Sequence, residues 1–253
     1  MKQAMTKNLY ALSAVVALGG ATLAAPTPAS AEVSGNISVV SNYVLRGITS
    51  AMENNGTAVQ GGLDWGHSSG IYAGYWGSSL SYADASGDPD APYAESGFEN
   101  DFYAGYAGSI GDFSYDVGAI YYYYMSIDDA DAPELAASVG WGPVSLGAKY
   151  LLDDVVWGNE GDTYITLSGG APLPAGFSFG ATLGYYLYTD EGEFISATEN
   201  DSAFRHLDLS LSHPIGDTGA DMSITYVVGG EDRDGNEQED TVVLGLSYGF
   251  DAM

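Results

Sequence analysis

Between Phe113 and Tyr121 every second residue (Phe113, Tyr115, Val117, Ala119, Tyr121) is apolar, and the residues between are mostly small or charged. Successive side chains of a strand point to opposite faces, so such a segment has one apolar face and one polar face. The same alternation runs through Phe177, Phe179, Ala181, Leu183, Tyr185 and Leu187, and again through Val242, Leu244, Leu246, Tyr248 and Phe250. No segment after the N-terminal stretch carries a helical period. A chain built almost wholly of two-faced strands has two ways to satisfy its apolar rows. It packs them against each other in a sandwich, or it turns them outward to lipid as a closed barrel.

The connections decide between these. Twelve strands are predicted, at about 33–47, 57–67, 70–82, 98–110, 113–126, 133–141, 144–152, 162–171, 177–189, 203–213, 220–229 and 239–250. Short turns (His67 to Gly70, Gly111-Asp112, Gly142-Pro143, Pro172 to Gly176, Pro214 to Gly219) alternate strictly with longer loops at 48–56, 83–97, 127–132, 153–161, 190–202 and 230–238. An up-and-down barrel of the outer-membrane type has short turns at one end and longer loops at the other. An even strand count puts both of its termini on the short-turn side. The six long loops also hold more than half of the 34 acids, which keeps charge off the spans. A soluble sandwich needs no such rhythm and usually scatters Lys and Glu over its outer face. The expected fold is therefore all-β, a transmembrane up-and-down antiparallel barrel of about twelve strands.

The N-terminus reads as an address. Lys2 and Lys7 precede the uncharged apolar stretch Leu9 to Ala25, and Ala29-Ser30-Ala31 offers small residues for a signal peptidase. The expectation is a cleaved signal peptide over 1–31 and a barrel over 32–253, in the outer membrane of a Gram-negative-type bacterium. The stretch is shorter than the roughly 20 apolar residues of a spanning helix and is broken by Gly19-Gly20. With no cysteine in the chain, lipid-modified cysteines, disulfides and Cys-based zinc sites are excluded. A net charge of −28 repels polyanions, so no nucleic-acid partner is expected.

Ser34 to Thr49, containing Ser41-Asn42-Tyr43-Val44-Leu45-Arg46-Gly47, resembles the opening of the bacterial TorF porin group, also called the Gcw_chp family. The likeness continues in Val59 to Asp64, Gly70 to Ser78, Asp101 to Tyr106 and Asp112 to Gly118, and loosens to a strand pattern beyond about residue 125. The resemblance implies an exported outer-membrane channel, and it brings no catalytic residues. Barrel chains often end on an aromatic read by the assembly machinery. Here Phe250 is followed by Asp251-Ala252-Met253, while the Tyr248/Phe250 alternation is kept.

If the apolar rows face lipid, the other rows line the lumen. Their charged members are Arg46, Asp64, Asp101, Asp116, Lys149 and Asp208, with His206 beside them. Four acids against two bases, below acidic loops, favour cations over anions. The expected function is a porin-like, cation-preferring channel for small hydrophilic solutes or ions, with Arg46 and Lys149 facing acids across the lumen and narrowing it. The alternative is a barrel braced shut by those same charges, with a structural or surface-interaction role for its acidic loops. Loop 83–97 is a candidate to fold inward.

The lipid-facing pair of the run Tyr121 to Tyr124 and the four tryptophans (Trp65, Trp76, Trp141, Trp157), near predicted turns, strand ends or loops, are read as interfacial girdle residues. Asp232-x-Asp234-Gly235 places its glycine too early for an EF-hand. Diffuse divalent cations at the loops are expected instead, beside outer-membrane lipid, with the barrel-assembly machinery as a further partner and no cofactor. No Gly-x-Ser-x-Gly motif or metal-type histidine pair is present, so no enzyme activity is expected.

Overall fold

In a computed structural model the chain forms a closed antiparallel barrel of twelve strands. The structure describes residues 32–49, 56–81, 96–125 and 127–252. The expected signal peptide lies outside them, as does nearly all of loop 83–97. The strands are β1 (Glu32–Val40), β2 (Ala58–Gly66), β3 (Ile71–Ser81), β4 (Ser96–Ile110), β5 (Phe113–Met125), β6 (Ala132–Trp141), β7 (Val144–Leu151), β8 (Thr163–Pro172), β9 (Ser178–Leu187), β10 (Ser202–Pro214), β11 (Ala220–Gly229) and β12 (Thr241–Asp251). Each pairs with its sequence neighbours, and β1 closes the ring on β12 from Ser34↔Asp251 to Val40↔Gly245. Closure leaves no strand edge unpaired, the condition for placing a sheet in hydrocarbon.

The alternation sorts the two faces as expected. Val59, Leu63, Val117, Leu135, Leu146, Leu167, Ile224 and Leu244 stand exposed on the outside, a continuous apolar coat. The short-turn ends are tight because glycine permits them. Gly111 (φ 64) and Gly142 (φ 54) adopt a left-handed conformation at the tips of the β4–β5 and β6–β7 hairpins, where a side chain is disfavoured.

Inside, the barrel has two unlike halves. Towards the short turns many inward residues are small and polar, among them Ser34, Ser138, Thr166, Ser168, Thr182, Ser210 and Ser223, all partly exposed, while Tyr72 is buried over Asp116. They bound a hydrophilic vestibule. Towards the long loops the inward residues are large and buried, including Ile120, Tyr122, Tyr124, Glu99 and Glu134. That half is filled.

Part of the filling comes from the chain after β1. The sequence reading carried the first strand to residue 47, but β1 ends at Val40, so Arg46 is not a strand residue. Its backbone (φ 49) and that of Gly47 (φ 75) form a left-handed pair that reverses the chain. Tyr43 and Val44 bury with Val40, Ala58, Val227 and Val243. Burial of these apolar side chains competes against continuing the strand, and it wins. Thr49 then returns to the rim, donating from its N–H to Gln238 Oε1 (3.1 Å) and from Oγ1 to the Glu239 carbonyl (2.7 Å). A Cβ on Gly47 would stand 2.5 Å from His206 Cβ and 2.8 Å from the Arg205 carbonyl oxygen, so only glycine fits.

The loops at this end are tied to one another. Arg233 pairs with Asp162 and lies 4.9 Å above the Tyr188 ring. Asn159 Nδ2 donates to the carbonyls of Thr189 (3.0 Å) and Ile195 (3.2 Å). The mouth is thus a built structure that frames the lumen below it.

Candidate functional site in the lumen

Arg46 projects into the middle of the barrel and meets side chains from several strands. Its guanidinium grips Glu134 of β6 with both prongs, Nη1 to Oε1 at 2.8 Å and Nη2 to Oε2 at 2.6 Å. Nη1 also donates to the Tyr186 hydroxyl (2.6 Å) and Nη2 to the Tyr122 hydroxyl (3.1 Å). The same guanidinium lies 5.0 Å from the centre of the Tyr164 ring. Planar forks of this kind are the strong class of charged hydrogen bond, and the aromatic faces add attraction for the cation. Both partners are nearly inaccessible to water, Arg46 at 5% exposure and Glu134 at 1%. A buried pair is tolerated only when its remaining lone pairs are met. The Tyr122 hydroxyl accordingly donates to Glu134 Oε2 at 2.8 Å.

Neighbouring groups extend the network. Glu99 accepts from the Tyr43 hydroxyl and from the Tyr124 hydroxyl (3.2 Å). Lys149 Nζ donates to the Tyr122 hydroxyl at 3.1 Å. His206 joins the Tyr164 hydroxyl at Nε2 (2.6 Å) and Asp208 at Nδ1 (2.8 Å). Arg205 donates from Nε to the Arg46 carbonyl (3.3 Å) and from Nη1 to the Glu231 carbonyl (3.0 Å), linking the inward segment to the β11–β12 loop.

Of the seven residues singled out from the sequence, Asp64, Asp101, Asp116, Lys149, His206 and Asp208 stand on inward rows of their strands, and Arg46 reaches the lumen from its loop. Arg46 and Lys149 both reach the Tyr122 hydroxyl. Asp64 and Asp116 lie nearer the vestibule, accepting hydrogen bonds from the Tyr103 and Tyr72 hydroxyls respectively. They are not part of the Arg46 cluster.

The sequence reading missed Glu99, Glu134 and Arg205. Glu99 shares an inward row with Asp101, and Glu134 follows Ala132 on another, so alternation alone could have found both. Arg205 could not have been found that way. A register shift between Phe204 and His206 turns Arg205 and His206 inward together, both buried, which strict alternation forbids. Tyr121 and Tyr123 face outward as the lipid-facing pair of the tyrosine run, and Tyr122 and Tyr124 are core residues of the lumen. The girdle reading needs correction at two tryptophans. Trp76 packs on the Val40–Tyr43 cluster, and Trp157 donates to the Ala130 carbonyl at 2.8 Å. Only Trp65 and Trp141 are exposed as a girdle requires.

The charges are segregated. Asp64, Glu99, Asp101, Asp116 and Glu134 come from β2 and β4–β6, whereas Lys149, Arg205 and His206 come from β7 and β10. Asp208 is the acid on the basic side, held by His206. A field therefore crosses the lumen from wall to wall. Outside, Asp128, Asp129, Asp131, Asp153, Asp154 and Glu193 line an open cleft of about 550 Å³ at the mouth. Among the described residues no group of three or more His, Asp or Glu is arranged to hold a metal ion.

Several solved structures share this architecture. The KdgM porin aligns with a TM-score of 0.53 at 11% identity, over 86% of this chain and 99% of that one. The COG4313 outer membrane channel from Pseudomonas putida F1 aligns with a TM-score of 0.54 at 12% identity, over 90% and 97%. At such identities the likeness is one of fold, that of a porin-like barrel. No curated protein matches the sequence. The profile of the family described as a bacterial protein of unknown function (Gcw_chp) matches residues 24–247, nearly the whole length. The chain, a closed twelve-stranded barrel with a charged network in its lumen, belongs to the Gcw_chp family.

Proposed function

We propose that the protein is a porin-like channel of the outer membrane that passes small hydrophilic solutes or ions, prefers cations and catalyses no reaction. The observation that carries this reading is the vestibule. The short-turn part of the barrel interior is lined by small hydroxyl residues that remain partly exposed, with Asp64 on its wall and Asp116 buried beneath Tyr72, a surface suited to water and solute. A barrel that served only as a scaffold could fill that volume with side chains, as eight-stranded barrels do. Acids on the wall and at the mouth raise the local concentration of cations. The segment carrying Tyr43 and Arg46 forms the constriction, and conduction needs it to shift.

The filled loop-side half favours a second reading, a braced barrel whose loops make surface contacts. Planar-bilayer conductance in a salt gradient separates the two. Discrete steps with a reversal potential on the cation side support the channel. A folded but silent protein, still silent when the Arg46–Glu134 pair is broken, supports the scaffold.

A further inference from the structure

Glu99 and Asp101 stand two residues apart on the inward row of β4, both fully buried, and their carboxyl groups are hydrogen-bonded to each other. Such a bond needs a hydrogen, because an ionised carboxylate only accepts. Glu99 also accepts from the Tyr43 and Tyr124 hydroxyls, whereas no other donor among the described residues reaches the Asp101 oxygens. Arg46 is committed to Glu134, Lys149 to the Tyr122 hydroxyl and Arg205 to two backbone carbonyls. The missing hydrogen is therefore a proton on Asp101, donated to Glu99. Glu99 then keeps its charge with three donors around it, and two like charges in contact are avoided. The charges of the filled half also balance. Arg46, Lys149 and Arg205 face Glu99, Glu134 and Asp208, with the His206 ring neutral between Asp208 and the Tyr164 hydroxyl.

We propose that Glu99 and Asp101 form a proton-sharing carboxyl dyad that seats the inward segment at neutral pH and releases it in acid. The one charge left on the dyad holds that segment twice, by accepting from Tyr43 and by attracting Arg46. A second proton, taken up by Glu99, removes the charge and weakens both holds. Arg46, Lys149 and Arg205 then outnumber the acids around them, and Arg46 is the one cation carried by a loop and free to withdraw. The groups facing the dyad are Tyr43 and Arg46 of the segment, Tyr103 of β4, Tyr122 and Tyr124 of β5, and Lys149 of β7. From β3 come only Ser78 and Trp76. None of these gains a proton in acid. Glu134 of β6 lies beyond Arg46, and the guanidinium fork holds its carboxylate. Acid therefore acts on this segment through the dyad. Only the effect on conduction rests on the channel reading; the dyad and its grip on Tyr43 do not.

The test combines infrared spectroscopy with thiol labelling of the purified, folded protein in detergent. At neutral pH the native protein should show the carbonyl stretch of a buried protonated carboxyl. Asp101→Asn should lose it, since the amide then donates to an ionised Glu99. No such band in the native protein overturns the proposal whether or not any variant folds, and so does an equal band in Asp101→Asn. Because the chain has no cysteine, Val44→Cys gives the inward segment a single buried thiol. Its labelling by a water-soluble maleimide, scaled to free cysteine at the same pH, should rise about tenfold or more in acid, the loss expected for one hydrogen bond to a charged group. With Glu99→Gln and Asp101→Asn added, the dyad is uncharged at every pH. That protein should label fast at neutral pH and show no further rise in acid. Labelling that ignores pH in the otherwise native chain overturns the proposal, as does a pH dependence that survives the double change. A barrel silent in bilayers that meets both expectations keeps the dyad and removes the channel.

Discussion

Replacing Arg46 by alanine tests whether the inward segment is latched by one side chain. The change removes two bonds to Glu134 (2.8 and 2.6 Å), one each to Tyr186 (2.6 Å) and Tyr122 (3.1 Å), and the stacking over Tyr164. Glu134 stays behind at 1% exposure with the Tyr122 hydroxyl as its hydrogen-bond donor and its partner guanidinium gone. Breaking a buried pair from one side costs about 3–5 kcal/mol, because the orphaned charge stays desolvated. The segment has a cheaper exit: it can leave the lumen and let water reach Glu134. Arg46→Ala should therefore appear as lost stability, as a wider pore, or as both. The assay is denaturant unfolding of the refolded barrel with single-channel conductance on the same preparation. Adding Glu134→Ala should recover part of the loss, with a coupling of about 2–3 kcal/mol between the sites. If Arg46→Ala unfolds within about 0.5 kcal/mol of the native protein and conducts identically, the latch is wrong.

The other predictions are independent of that one. Gly47→Ala, which forces a Cβ onto His206 at φ 75, should cost about 1–3 kcal/mol and loosen the same segment, read by unfolding and by conductance. Asp64→Asn with Asp116→Asn should move the reversal potential in a salt gradient towards anions; an unmoved potential removes these residues from the ion path. Leu167→Arg on the outer face should cost about 2–4 kcal/mol if it sits near the midplane, whereas Ser168→Arg, its inward neighbour, should not pay that lipid penalty; refolding into lipid vesicles compares the two. The Tyr226 hydroxyl and the Gly229 N–H hold the Asp240 carboxyl below the usual carboxylate range. This contribution is complete above the ordinary carboxylate pKa and fades as pH falls through the lowered folded value. Asp240→Asn should accordingly flatten the acid limb of a stability-versus-pH curve.

The strand count, the rhythm of short and long connections and the identity of the lipid face could all be read in the sequence, because each follows from local chemistry. Period-two alternation fixes which face a residue takes once it is in a strand, as Phe113 to Tyr121 illustrates, and glycines such as Gly111 and Gly142 mark where the chain can turn. The inward acids Asp64, Asp101 and Asp116 follow from the same rule. Two features could not follow from it. Val40 is succeeded by residues that would suit a longer strand, and only the presence of Ala58, Val227 and Val243 around the lumen makes burial of Tyr43 and Val44 the better outcome. The shift at Phe204–His206 similarly turns Arg205 inward, although nothing in its neighbours' polarity marks it. Alternation is a property of one strand, so the sequence by itself determined the wall. What fills the wall depends on side chains drawn from far along the chain, Arg46 meeting Glu134, Tyr122, Tyr164 and Tyr186. Those meetings exist only once the ring has closed, and so the tertiary structure alone decided them.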